Sequence, residues 1–155
     1  VAIDVSPGAV QVARRRGVRD VRLLALEDVD ESLGEFDTLV MFGNNFGLFG
    51  SRAKARRLLR RLRPFVRRIV ATSNDPFGTE DPVHLAYHER NRNRGRMPGQ
   101  LRLRIRYRDL IDPWFEYLIV SPDGMAEIVE GTGWAIRHLI RDEDAVYVAV
   151  LEHPG

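Results

Sequence analysis

Four short apolar runs punctuate the first half of the chain, at Val1–Ile3, Val21–Leu26, Thr38–Phe42 and Ile69–Ala71, with stretches of helical spacing among them. Near-continuous runs of this length suit strands buried on both faces of a parallel sheet. Parallel neighbours need a crossover, usually a helix, to join them. The alternation therefore predicts βαβ units and a doubly wound, mostly parallel α/β fold. Local punctuation agrees: Asp4 ends the first run, Ser6 suits an N-cap, Pro7 the first helical position and Gly17 the stop. Ser51 caps a second helix with Ala55, Leu58, Leu59 and Leu62 on one face, Arg52, Arg56, Arg60 and Arg63 toward the other, and Pro64 at its close.

The second half changes character. A loop over Ser73–Pro82 leads to a polar helix predicted over Val83–Arg94. Leu101, Leu103, Ile105 and Tyr107 then alternate with Arg102, Arg104, Arg106 and Arg108, the period of a strand with one buried and one solvated face. Trp114–Val120 is its expected hairpin partner, and a helix follows from Ser121 to Gly131. Trp134–Ile140 and Ala145–Leu151, joined by an acidic turn at Arg141–Asp144, form an antiparallel hairpin at the sheet edge.

At 155 residues, 44% hydrophobic and 30% charged, the chain is expected to form one domain. It has no cysteine, which excludes disulfides and thiolate metal sites and makes a cytoplasmic setting the default. No apolar run is long enough to span a bilayer, so no membrane partner is expected. Twenty-four basic residues face 22 acidic ones, so nucleic acid is a possible partner without being indicated. Lys54 is the single lysine, and genome-wide codon bias accounts for the abundance of arginine more simply than selection for phosphate does.

The order of these elements resembles the class I S-adenosylmethionine-dependent methyltransferases, whose parallel sheet ends in an antiparallel hairpin. The stretch VAIDVSPGAVQVARRRG is similar to that family's second strand and following helix, LLALEDV to the segment bracketing adenine, EFDTLVMFGNNFG to the fourth strand and its loop, and GTGWAIRHLIRDEDAVYVAVLEH to the closing hairpin. The resemblance implies S-adenosylmethionine as cofactor. It places Asp4 on the ribose hydroxyls with Val5 beside it, Leu26, Glu27 and Asp28 near the adenine, and Gly43, Asn44 and Asn45 beside the methionine moiety. Ala25 stands where the family often has an aspartate. The family's glycine-rich loop and first strand would precede Val1, so the chain is read as N-terminally incomplete. The segment at about 74–120 is expected to be an inserted cap over a small-molecule acceptor, with Tyr87, His88, Arg96 and Tyr107 as candidate contacts. No catalytic base is assigned, and the oligomeric state stays open.

The residues also admit plainer roles. Asp4 can satisfy helix-start N–H groups, Asn44 and Asn45 can be turn residues tolerant of left-handed geometry, and Glu27 and Asp28 can be a solvated acidic loop. His84 and His88 share a helix face but have no third ligand at a familiar spacing, so no metal is expected. The arginines from Arg102 to Arg108 suit the wet face of an edge strand. Two other functions remain open: a nicotinamide-dependent oxidoreductase, whose domains also carry an acidic strand tip, and a non-catalytic module binding anions or nucleic acid.

Overall fold

The computed structural model describes residues 1–141 and 145–154. They divide into two compact units, Val1–Gly34 and Glu35–Gly155.

In the first unit, β1 (Ala2–Asp4) and β2 (Val21–Leu23) form a parallel pair in the register Ala2↔Val21 to Asp4↔Leu23. Their crossover is α1 (Pro7–Arg15), which starts as predicted: Ser6 is extended and its Oγ accepts the Ala9 N–H at 3.3 Å. Gly17 ends it at φ 90°, a left-handed position open to a residue without Cβ. The run Val21–Leu26 is strand only as far as Leu23, and Arg22 and Leu23 are exposed; a 3-10 turn follows at Leu26–Asp28. Burial on both faces requires a layer on each, and this pair has one crossover helix. Val10, Val21, Leu26 and Val29 are its buried apolar side chains.

The second unit opens with β3 (Phe36–Met41), a 3-10 turn over Asn45–Phe49, α2 (Arg52–Leu62) and β4 (Val66–Asn74). β3 and β4 are parallel, with Leu39 opposite Ile69 and Met41 opposite Ala71. α2 buries Ala55, Leu58, Leu59 and Leu62, the face its spacing predicts, and the Ser51 Oγ accepts the Lys54 N–H at 3.3 Å. β3 is less buried than its apolar run suggests: Val40, and Phe42 just beyond it, are each 55% exposed. Among the described residues it pairs with β4 alone.

Between β4 and the last helix lie α3 (Pro82–Arg92), β5 (Gln100–Leu103), β6 (Arg106–Tyr107), β7 (Leu110–Ile111) and β8 (Phe115–Leu118). Asp81 caps α3 through Oδ1, which accepts the Val83 N–H at 2.7 Å. β5 and β8 are antiparallel, Gln100 opposite Leu118 and Leu103 opposite Phe115. The continuous strand expected from Leu101 to Tyr107 breaks after Leu103, and β6 pairs with β7 in a separate short ladder. Its apolar side is not buried, since Ile105 is 60% and Tyr107 63% exposed. Arg102 and Arg104 instead lie over the Trp114 ring, at 5.5 and 4.8 Å.

The chain ends with α4 (Pro122–Val129), β9 (Ala135–Arg141) and β10 (Val146–Glu152). β10 pairs antiparallel with both β4 and β9, which gives the order β3-β4-β10-β9 and the expected closing hairpin. Residues 142–144 of the predicted acidic turn lie outside the described residues. α4 packs on α2 and on β9. Trp134 locks this layer, its indole Nε1 donating to the Leu59 carbonyl at 2.7 Å in a buried position. No helix among the described residues is long and apolar enough to cross a membrane.

Candidate functional site

Ligands of open α/β sheets bind beyond the carboxyl ends of the strands. At that end of β3 the chain turns through Gly43 at φ 69° and Asn44 at φ 63°, and asparagine is one of the few side chains that tolerate the left-handed region. Asn44 is held on three sides. Its N–H donates to the Thr72 Oγ1 at 2.6 Å, and its carbonyl accepts the Tyr117 hydroxyl at 2.5 Å and the Gly47 N–H at 2.8 Å. Its Oδ1 is buried without a hydrogen-bond partner, and so is the Oδ1 of Asn74 at the end of β4. A buried polar atom left unpaired costs about 1–3 kcal/mol. Two such acceptors thus stand at the ends of neighbouring parallel strands.

Tyr117 reaches this loop from β8. Its ring fills the space above Gly47, where an added Cβ would overlap it. Burial pushes its phenol above the ordinary value of 10.0, which keeps the hydroxyl protonated and donating. A second tie joins β4, β10 and the start of α4. The Ser73 Oγ accepts the Val120 N–H at 3.2 Å, and the Val120 carbonyl accepts the Tyr147 hydroxyl at 2.7 Å. Burial likewise pushes the Tyr147 phenol up. Neither tyrosine carried a signal in the sequence, because each works through a partner more than 25 residues away. Thr72, whose partner Asn44 is 28 residues away, carried none for the same reason.

Beyond β4 the second unit has a hollow of about 820 Å³, lined among others by Asp75, Phe77, Arg96, Gln100, Asp123 and Arg141. Arg96 is the one candidate acceptor contact that lines it; Tyr87, His88 and Tyr107 do not. Tyr107 lies in the exposed β6–β7 ladder with Arg108 over its ring at 5.3 Å. His88 is buried on α3, with Nδ1 unpartnered and Phe77 edge-on at 6.2 Å. Burial, helped by Arg92 and His84, lowers its pKa from 6.5 and favours neutral imidazole. His84 instead faces the Thr79 Oγ1 through Nδ1, at 3.1 Å.

In the first unit Asp4 sits exposed at the end of β1, and its Oδ1 accepts the Ser6 N–H at 2.7 Å. The helix-start role is therefore real, and it engages one of two carboxylate oxygens. Val5 is exposed; Leu26 is buried, Glu27 half-buried and Asp28 exposed in the 3-10 turn after β2. In the second unit Gly43 and Asn45 are exposed around the half-buried Asn44.

Compared by sequence, the chain matches no protein-family model and no curated protein. Compared by structure, it superposes on a SAM-dependent methyltransferase from Bacteroides fragilis in complex with S-adenosyl-L-homocysteine with a TM-score of 0.79 at 24% identity, covering 99% of this chain and 62% of that one. It also superposes on the CcbJ methyltransferase from Streptomyces caelestis (TM-score 0.68, 10% identity, 99% and 74% covered) and on a SAM-dependent methyltransferase from Methanosarcina mazei (0.66, 10%, 97% and 80%). The chain therefore spans less than two thirds of the Bacteroides fragilis protein's length. The α/β architecture with its closing antiparallel hairpin is the fold of the class I S-adenosylmethionine-dependent methyltransferases.

Proposed function

We propose that the protein binds S-adenosylmethionine and transfers its methyl group to a small molecule. The observation that carries this reading is the superposition of 99% of the chain on a methyltransferase that was crystallised with S-adenosyl-L-homocysteine. The residues fit the cofactor's chemistry in each unit. The Asp4 Oδ1 is engaged by Ser6, which leaves Oδ2 for a ribose hydroxyl. Leu26 supplies an apolar surface for adenine, with Val5, Glu27 and Asp28 flanking it. In the second unit Gly43, Asn44 and Asn45 form the loop for the methionine moiety.

The cofactor supplies a methyl group on a positively charged sulfur. The new bond to the acceptor forms as the methyl–sulfur bond breaks, the electron pair leaves with sulfur, and the acceptor's proton, where it has one to lose, goes to solvent or a base. Such a displacement needs alignment above all, and a base only where that proton must leave. The chain's part is to hold its loops rigid: Thr72 and Tyr117 fix the backbone of Asn44 from two elements. The segment from about 74 to 120, with Tyr87, His88, Arg96 and Tyr107, is proposed as the acceptor cap within one methyltransferase domain, in a cytoplasmic setting.

Calorimetric titration of the protein with S-adenosylhomocysteine and, separately, with NAD tests the reading. Saturable binding of the first and none of the second is expected. Binding of the dinucleotide alone would establish an oxidoreductase, and salt-sensitive RNA binding without either cofactor would establish a nucleic-acid module.

A further inference from the structure

Two hollows in the second unit lie toward opposite ends of the same two helices, α2 and α4. The lower hollow, about 1020 Å³, lies where both helices end, among Arg60, Arg63, Arg67, Gly131, Gly133 and His153. Helix C-termini present unpaired carbonyls and partial negative charge. The arginines around these ends answer to that field: Arg56 donates to the carbonyls of Glu127 and Ile128, at 2.9 and 3.2 Å, and Arg60 to that of Gly131 at 3.3 Å. Arg63 lies against Gly133, where a Cβ would displace its guanidinium, and Arg67 pairs loosely with Asp37 at 3.7 Å. Arg56 and Arg60 are thus committed to helix-end carbonyls, and the lower hollow carries no ligand argument.

The upper hollow is electrostatically different. It contains Ser51 and Arg52 from the start of α2, and Ser121, Pro122, Asp123 and Gly124 from the start of α4. Of its carboxylates, Glu127 is 3.3 Å from Arg52, the Asp75 Oδ1 accepts the Phe77 N–H at 3.0 Å, and Asp123 lies in the first turn of α4, the positive end of that helix. Arg96, from the loop after α3, and Arg141, from the end of β9, line the same hollow. Among the described residues neither has an ion-pair or hydrogen-bond partner for its guanidinium. A planar guanidinium fork matches carboxylate and phosphate geometry, and 820 Å³ is within the range of small-molecule pockets.

We infer that this hollow binds the anionic group of a small molecule, a carboxylate or a phosphate, between Arg96 and Arg141, and that this molecule is the methyl acceptor. The second clause rests on the methyltransferase reading above.

The test titrates the protein with phenyl phosphate, benzoate and the neutral benzamide at fixed ionic strength, following backbone amide chemical shifts. Saturable shifts in residues 95–100 and 121–124 are expected with either anion, at least tenfold weaker with benzamide. Which anion binds more tightly separates a phosphate from a carboxylate site. Arg96→Ala and Arg141→Ala should each weaken the anion at least fivefold without lowering the melting temperature, since both side chains are exposed. Arg57→Ala, on the exposed side of α2 and outside the hollow, should change nothing. Equal binding of benzamide, equal loss in Arg57→Ala, or no saturable shift with either anion overturns the inference; should Arg96→Ala melt early, Arg141→Ala decides. S-adenosylhomocysteine is titrated in parallel. Cofactor binding without anion binding refutes the hollow and spares the methyltransferase reading. Arg96-dependent anion binding without cofactor binding keeps the anion site and refutes its role for an acceptor.

Discussion

Asp4, Gly47 and His88 each carry a consequence that one substitution can read. With Oδ1 of Asp4 held by Ser6, Asp4→Ala should weaken S-adenosylhomocysteine binding by about 1.5–3 kcal/mol, the range for hydrogen bonds to a charged group. Isothermal titration of the folded variant measures it, and wild-type affinity would remove Asp4 from the site. Gly47→Ala pushes a methyl into the Tyr117 ring and should cost about 1–3 kcal/mol in denaturant unfolding. Tyr117→Leu in the same chain should recover part of that loss, because the overlap is between these two side chains. His88 ties stability to pH. Its folded-state pKa lies below 6.5, so the unfolded chain takes up the proton first, and stability falls as pH drops from about 6.5 toward the folded value. Melting temperatures of the protein and of His88→Gln across pH 7.5 to 5 should diverge on the acid side, in favour of the variant. The Ser6 cap could be anticipated from neighbours in sequence; the Tyr117–Asn44 bond spans 73 positions and could not.

At the scale of elements, α2 and α3 are built oppositely. α2 buries four apolar side chains along one stripe, whereas α3 buries only His88 and Asn91 and leaves Val83 73% and Leu85 45% exposed. Helix stability in proteins comes mostly from packing an apolar face, so α3 should open locally well before the sheet does. Native-state hydrogen exchange is expected to show weak protection over residues 85–92 and strong protection over 55–62; equal protection would contradict it. The broken strand at 101–107 teaches the converse. Period-two alternation predicts an extended chain with two unlike faces, and that much holds for β5 and β6. Which face is covered depends on what else reaches it, and there Ile105 and Tyr107 found no cover.

For the whole molecule the two units make unequal claims to independence. The first has four buried apolar side chains in Val1–Gly34 and a two-stranded sheet, and chains below about 40 residues seldom fold without disulfides, metals or partners. A peptide of residues 1–34 should show a coil-like far-ultraviolet spectrum. Residues 35–155, which hold the four-stranded sheet and the Phe46, Phe49, Leu59, Ile69 and Leu151 core, should still melt cooperatively.

Apolar runs, caps and glycine stops lie within a few residues of what they control, so the sequence alone determined the order of elements from β1 to β4, the buried stripe of α2 and the closing hairpin. It also placed Asp4 and Asn44 at strand ends, since a strand's end is a local event. Three matters were decided only when distant segments met: the pairing of β4 with β10, the anchoring of Asn44 by Thr72 and Tyr117, and the choice of which arginines are committed to carbonyls and which, like Arg96 and Arg141, face a hollow. Every arginine carries the same charge in the sequence, and only the carbonyl, carboxylate or ring that the fold brings to it gives that charge a partner.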